Sequence, residues 1–544
     1  MPLVTHPDTP EWWPQWWQGA AIYQIYPRSF LDTNGDGVGD LPGITAKMDY
    51  IAELGVDAIW ISPFFPSPMA DFGYDVAEYC DVDPLFGTLA DFDALLAAAH
   101  ARGLKVIIDQ VYAHTAITHA WFTESRADRT NARHDWYVWS DPRPDGTPPN
   151  NWQSVFGGPA WTWDGRRRQY YLHTFLKEQP QLNVRLPVVQ DALLGAARFW
   201  LERGVDGFRL DALNHSIGDA ELRDNPPAQE DGHPRNRPFD FQDKLYSQSQ
   251  PEVVGFVERI RALCNEFGVV FTVAEVGGGS EAVPVMQSYT AGDARLNSAY
   301  GFDFLYAPAL TPALVAQAMA AWPGLPDAEG RSEGWPSWAF ENHDAPRAIS
   351  RWGEGADRDA FARMKVVLLA ALRGNVILYQ GEELGLEQDE IPFELLQDPE
   401  AIANWPLTLS RDGARTPLPW SAAPGGGFTT GNPWLPLSPE NRARSVESQL
   451  ADPASLLAFT RAVLAMRCTT PALRLGALSE LAIEGQTLEF ARTHGDSRIL
   501  CRFNLGHEPA PHRASEPHDR ILFASGGAGL DGLPAWSAVL IEQA

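Results

Sequence analysis

The chain has 544 residues, 44% of them hydrophobic and 21% charged, which is enough apolar surface for a large core and excludes extended disorder. Its 42 Lys and Arg against 70 Asp and Glu give a net charge of -28. That balance argues against a nucleic-acid backbone or an anionic membrane as partner, since both attract cations, whereas a neutral small molecule is indifferent to it.

The opening residues, MPLVTHPDTPEWWPQWW, lack the basic-then-apolar order of a secretory leader, and no run reaches the roughly 18 apolar residues of a spanning helix. Cys80, Cys264, Cys468 and Cys501 lie far apart, without a CxxC pair or a His at ligand spacing, which predicts reduced, buried thiols. A soluble, cytoplasmic monomer or homodimer is expected.

Short β-rich runs recur at Ala21 to Tyr26, Ala58 to Ser62, Val106 to Asp109, Gly207 to Asp211, Val270 to Glu275, Phe302 to Tyr306, Trp338 to Glu341 and Val376 to Gln380. Between them, segments such as DFDALLAAAHARGLK and QDALLGAARFWLERGV repeat apolar residues at three and four, and meet a Gly that suits a helix C-cap. Eight such units predict an α/β protein, a (β/α)8 TIM barrel. Two Pro- and Gly-rich intervals break the rhythm, and short strands close the chain. The expected division is residues 1–111 for the first part of the barrel and 112–183 for a subdomain inserted after strand three. Residues 184–470 then form the rest of the barrel, including an insertion at 381–450 after strand eight, and 471–544 a C-terminal antiparallel β-sandwich domain.

Reactive residues of a barrel sit where its strands end. KVIIDQ carries Asp109, GFRLD ends in Asp211, FTVAE in Glu275 and AFENHD in Asp344, with His114, Arg209 and His343 nearby. Arg209 and Asp211 are two apart, so in a strand they share a face, and the cation is expected to lower the Asp211 pKa. Glu275 follows an apolar run, where poor solvation is expected to hold a proton. One ionised and one protonated carboxyl, roughly 5 to 5.5 Å apart, are what a retaining glycosidase requires. A structural salt bridge beside a buried acid is the plainer alternative.

These segments, together with GVDAIWISPFFPSP, DQVYAHT, GVDGFRLDALNH, VAEV and ENHDAPR, resemble the α-amylase superfamily, glycoside hydrolase family 13, and most closely its α-glucosidase and oligo-1,6-glucosidase branch. The resemblance implies Asp211 as nucleophile, Glu275 as general acid/base and Asp344 as transition-state stabiliser. It implies a glucose pocket lined by Tyr74, Asp75, Asp109, His114, Phe175, Arg209 and His343. QPQLN is similar to the branch's QPDLN, with Gln181 in place of Asp. RDGARTPLPW is similar to its insertion after strand eight, where Arg415 is expected to pair with Asp75 and wall the pocket, so that one terminal glucose is removed at a time. Ala212, following the nucleophile, implies a preference for α-1,4 over α-1,6 bonds.

DTNGDGVGD sets oxygen-bearing residues at alternate positions, as a calcium loop requires, but lacks the Glu of an EF-hand; a solvated Asx-turn loop is the alternative. By the same resemblance, structural Ca2+ is expected on Asp32, Asn34, Asp36, the Val38 carbonyl and Asp40. Ala113 stands where other members have an Asn that holds a different calcium, so that second ion is not expected. The expected partners are small α-glucosides and sugar or alcohol acceptors, with transglucosylation alongside hydrolysis. A dedicated glucosyl transferase or isomerase acting on sucrose or maltose is the alternative, and a non-catalytic interaction protein on the same barrel a remote one.

Overall fold

The computed structural model describes residues 15–229, 235–278, 282–322, 324, 334–353, 355–511 and 518–543. The reading of the first fourteen residues lies outside this set. Eight parallel strands form one sheet: Ala21–Ile25, Ala58–Ile61, Lys105–Val111, Gly207–Asp211, Phe271–Val276, Ser298–Gly301, Ser337–Ala339 and Asn375–Tyr379. The eighth pairs with both the first and the seventh, and an Ala299–Pro336 bridge joins the sixth to the seventh, closing the barrel.

Runs such as AIYQI, AIWI and NVILY are buried at every position, as strands covered on both faces must be. Alternate side chains point inward, so Ile22, Trp60, Ile107, Phe271, Val273, Tyr300 and Ile377 fill the barrel while their neighbours pack beneath the helices. Helix Leu89–His100 begins in a capping box between Thr88 and Asp91. Helix Pro187–Arg203 ends where Gly204 turns left-handed at φ 100.

The sixth strand departs from the sequence reading. It is Ser298–Gly301, not Phe302 to Tyr306, which forms the turn that follows. Ser298, Ala299 and Gly301 conceal it from any search for apolar runs, and Tyr300 is its one large side chain. Two thiols also depart from expectation: Cys264 and Cys501 are buried, but Cys80 is half-buried and Cys468 exposed, all four as free cysteines.

After the third strand, Trp139–Ser140, Gln169–Leu172 and Trp161–Asp164 make a small antiparallel sheet. A five-stranded antiparallel sheet spans Ala477–Glu484 to Ser537–Gln543 and packs on helix Arg358–Ala371. Among the described residues, no helix is long and apolar enough to cross a membrane.

Candidate active site

The register sets Asp109 opposite Arg209, Val111 opposite Asp211 and Glu275 opposite Tyr300. Three carboxylates converge there on one guanidinium. Arg209 Nη1 donates to Asp109 Oδ1 at 2.8 Å and to Asp211 Oδ1 at 2.5 Å, and its Nη2 lies 2.5 Å from Glu275 Oε1. The Tyr300 hydroxyl accepts from Arg209 Nε at 3.1 Å and donates to Glu275 Oε1 at 3.0 Å. Glu275 Oε2 accepts the Ala212 N–H at 3.1 Å. Trp60 Nε1 and the Tyr74 hydroxyl donate to Asp109 Oδ2 at 3.0 and 3.2 Å.

This sharing corrects the expected electrostatics. Burial pushes the Asp109 carboxyl up to about 6, and it raises Asp211 well above the usual carboxylate range although Arg209 opposes it. One cation shared among three acids does not depress Asp211 selectively.

Asp344 lies in the loop after the seventh strand. Its Oδ1 accepts from Arg415 Nη2 at 2.7 Å and from Arg411 Nη1 at 3.2 Å, and its Oδ2 is 3.0 Å from His343 Nε2. Burial opposes ionisation, but the Arg415 and Arg411 guanidiniums outweigh it and hold this carboxyl well below the usual range. Burial lowers His343 to about 3, so its ring is neutral at pH 7. The amide nitrogen of Gln24 lies 2.8 Å from Nδ1, which leaves the proton on Nε2, facing Asp344. Tyr74 stacks on His343 with centroids 5.2 Å apart. His114, lowered to about 4 by burial, has Nε2 3.1 Å from the Tyr74 carbonyl and lies against Phe175 at 5.2 Å.

The expected Asp75–Arg415 pair is not formed. Asp75 is fully buried and accepts from Ser67 Oγ at 2.8 Å and from the N–H groups of Ala70 and Asp71 at 2.9 and 3.0 Å, so it organises its own loop. Arg415 serves Asp344 and donates from Nε to the His343 carbonyl at 2.6 Å. The loops are joined instead by Asp71 and Arg411, 3.2 Å apart, both missed in the sequence; Gln179 Nε2 also donates to Asp71 at 3.1 Å. DFGYD and RDGAR each offer two like residues four apart, and that doubling was the available signal. Gln181 donates to the His215 carbonyl at 2.7 Å and accepts from Thr174, tying the inserted subdomain to the loop after Asp211.

Asp32, Asn34, Asp36 and Asp40 share one loop, remote in sequence from these carboxylates. Their oxygens accept the loop's own amides: Asp32 those of Asn34, Gly35 and Gly37, Asn34 that of Asp36, Asp36 that of Val38, and Asp40 those of Thr33 and Gly43. These are the Asx turns of the alternative reading. Among the described residues, no group of three His, Cys, Asp or Glu side chains is gathered as a metal would gather them.

Residues 24–476 match the model of the alpha amylase catalytic domain. The chain belongs to the α-amylase family. Residues 476–540 match a domain described only as of unknown function. The chain of this α-amylase family member is 50% identical to a probable alpha-glucosidase of Rhizobium meliloti (strain 1021), with 97% of each chain covered. It is 37% identical to an oligo-1,6-glucosidase of Heyndrickxia coagulans, over 94% of this chain and 96% of the relative. A crystal structure of an alpha-glucosyl transfer enzyme superposes with a TM-score of 0.91 at 49% identity, covering 97% of this chain and all of the other. This α-amylase family member is a glycoside hydrolase, and the reading as a non-catalytic interaction protein falls away.

Proposed function

We propose that the enzyme is a retaining α-glucosidase that removes terminal glucose from short α-glucosides, α-1,4 bonds in preference to α-1,6, through a covalent glucosyl intermediate on Asp211. The observation that carries this reading is the single Arg209 guanidinium bonded to Asp211 and close against Glu275. Two carboxyls on adjacent strand ends are thereby held together, as a nucleophile and an acid/base that act on one bond must be.

Asp211 attacks the anomeric carbon as Glu275 protonates the departing oxygen. Glu275 then takes a proton from the water or sugar hydroxyl that displaces Asp211. Asp344, kept ionised by its two arginines, counters the positive charge that develops on the sugar ring. Tyr74, Asp109, His114, Phe175, Arg209, His343 and Arg415 line the glucose pocket in this reading, with Asp71 in the place first given to Asp75. Ala212 tunes linkage preference.

Calcium on Asp32, Asn34, Asp36, the Val38 carbonyl and Asp40 belongs to the same reading. Its support is donor chemistry: carboxylate and amide oxygens that each accept backbone N–H groups keep further lone pairs for a hard cation. The ion would brace the loop, and no chemical step passes through it. A cytoplasmic setting is in keeping with four free cysteines.

A dedicated glucosyl transferase or isomerase is favoured by one observation, the likeness to the alpha-glucosyl transfer enzyme. Chromatography of products over time from maltose, isomaltose, sucrose and trehalose separates the two. Two glucoses per maltose cleaved, and glucose with fructose in equal amounts from sucrose, support the glucosidase; one glucose per maltose cleaved with new saccharides as the other product, or sucrose isomers without free glucose, support the alternative.

A further inference from the structure

Three residues beyond Asp344, Arg347 is buried with only 1% of its surface exposed. Its Nη1 donates to Glu341 Oε2 at 3.1 Å and to the Gln380 carbonyl at 2.9 Å, while Nη2 donates at 3.1 Å to the carbonyl of Ala414, the residue before Arg415. Glu341 is anchored in turn by Lys365 Nζ at 2.8 Å, which also reaches Glu382 at 2.7 Å. The Glu341–Arg347 bond therefore clasps both ends of the segment that carries His343 and Asp344. The same guanidinium grips the backbone from which Arg415 extends. The Tyr379 hydroxyl donates to that same Ala414 carbonyl at 3.1 Å, and its ring lies 4.4 Å from the Arg347 guanidinium.

We propose that Arg347 is a positioning residue that fixes the Arg415 guanidinium against the Asp344 carboxylate by holding the loops of both from behind the pocket. The proposal rests on the catalytic role read for Asp344. Only a planar fork of donors reaches a carboxylate and two carbonyls of separate segments at once; a lysine brings one compact point charge. Stability alone is a poor account of such a network, because buried ion pairs are often replaced by apolar residues at no cost to folding. What the network does do is join three separate segments: the loop after the seventh strand, the eighth strand and the insertion beyond it.

The test is a double-mutant cycle on an activated aryl α-glucoside, with turnover normalised to the folded fraction. Loss of wild-type activity in Asp344→Asn checks the underlying role separately. Arg347→Lys should lower kcat/KM about 10- to 100-fold, the scale of a misplacement of about 1 Å. In an Arg415→Ala background, where there is no guanidinium left to place, the same change should cost less than about two-fold. Tyr379→Phe, a milder variant, removes one hydrogen bond to Ala414 and should cost about five-fold, again only when Arg415 is present. If Arg347→Lys does not fold, Tyr379→Phe carries the test alone. Equal losses in both backgrounds, or a lower melting temperature with unchanged turnover per folded molecule, overturn the proposal.

Discussion

The backbone N–H of Ala212 donates to Oε2 of Glu275 at 3.1 Å, so the residue that follows one strand-end carboxylate holds the other in place. To do so, Ala212 adopts a left-handed conformation, φ 41 and ψ 37. A non-glycine residue there stores strain, and a β-branched one more.

Ala212→Val should therefore lower stability by about 1–2 kcal/mol, read as a drop in melting temperature, whereas Ala212→Gly should not. By the proposed specificity, the wild type cuts maltose faster than isomaltose. Ala212→Val should shift the ratio of the two kcat/KM values toward isomaltose by roughly 10- to 200-fold, since a methyl or two in a sugar pocket is worth that much. A ratio that does not move removes Ala212 from the specificity account.

Arg415 and Asp75 share no bond and are linked only through Asp71, Arg411 and Asp344, so their substitutions should be nearly independent. Arg415→Ala is expected to lower kcat/KM roughly 10- to 100-fold by leaving Asp344 misplaced, and Asp75→Asn to lower mainly the melting temperature. The double variant should show the sum of the two effects. Coupling between them, measured in a cycle, would restore the pairing that the structure replaces.

His173 Nδ1 donates to the Phe175 carbonyl at 3.0 Å, its Nε2 accepts from the Thr162 hydroxyl at 2.9 Å, and burial lowers its pKa to about 4. Above about pH 6.5 both folded and unfolded states hold it neutral. Between there and pH 4 only the unfolded chain takes up the proton, so folding weakens as pH falls. Relative to His173→Gln, the wild type should lose roughly 3 kcal/mol of stability between pH 7 and 4. Denaturation of both proteins across that range checks it, and parallel curves are the contrary result.

If calcium braces the Asp32 to Asp40 loop, the melting temperature rises with calcium concentration, because an ion bound only by the folded state stabilises it by mass action. Asp36→Ala should abolish that dependence while leaving kcat nearly unchanged. A melting curve indifferent to chelation, with no metal by elemental analysis, returns the loop to its Asx turns.

Most of the barrel was legible because strands covered on both faces must be apolar throughout, and seven of the eight runs stood out for that reason. The sixth was hidden because its inward layer needs only Tyr300, while the louder FDFLY run belongs to a turn. Asp109, Arg209, Asp211 and Glu275 were found by strand-end position and alternation, both local rules. Asp71, Arg411 and the true partner of Arg415 were not, since those contacts join segments as much as 340 residues apart and local spacing does not choose between Asp71 and Asp75. The Asp211 environment was misjudged for a related reason: Arg209 was seen beside one carboxylate, and two more arrive on neighbouring strands.

The central claim, a covalent intermediate on Asp211, is tested most directly by the anomer of the glucose first released from an aryl α-glucoside, whose leaving group is not itself a sugar, followed by proton NMR before mutarotation. Two displacements at one carbon return the starting configuration. The account predicts α-glucose first, with turnover lost in Asp211→Ala and restored by azide as a β-glucosyl azide; β-glucose as the first product of the wild type would contradict it.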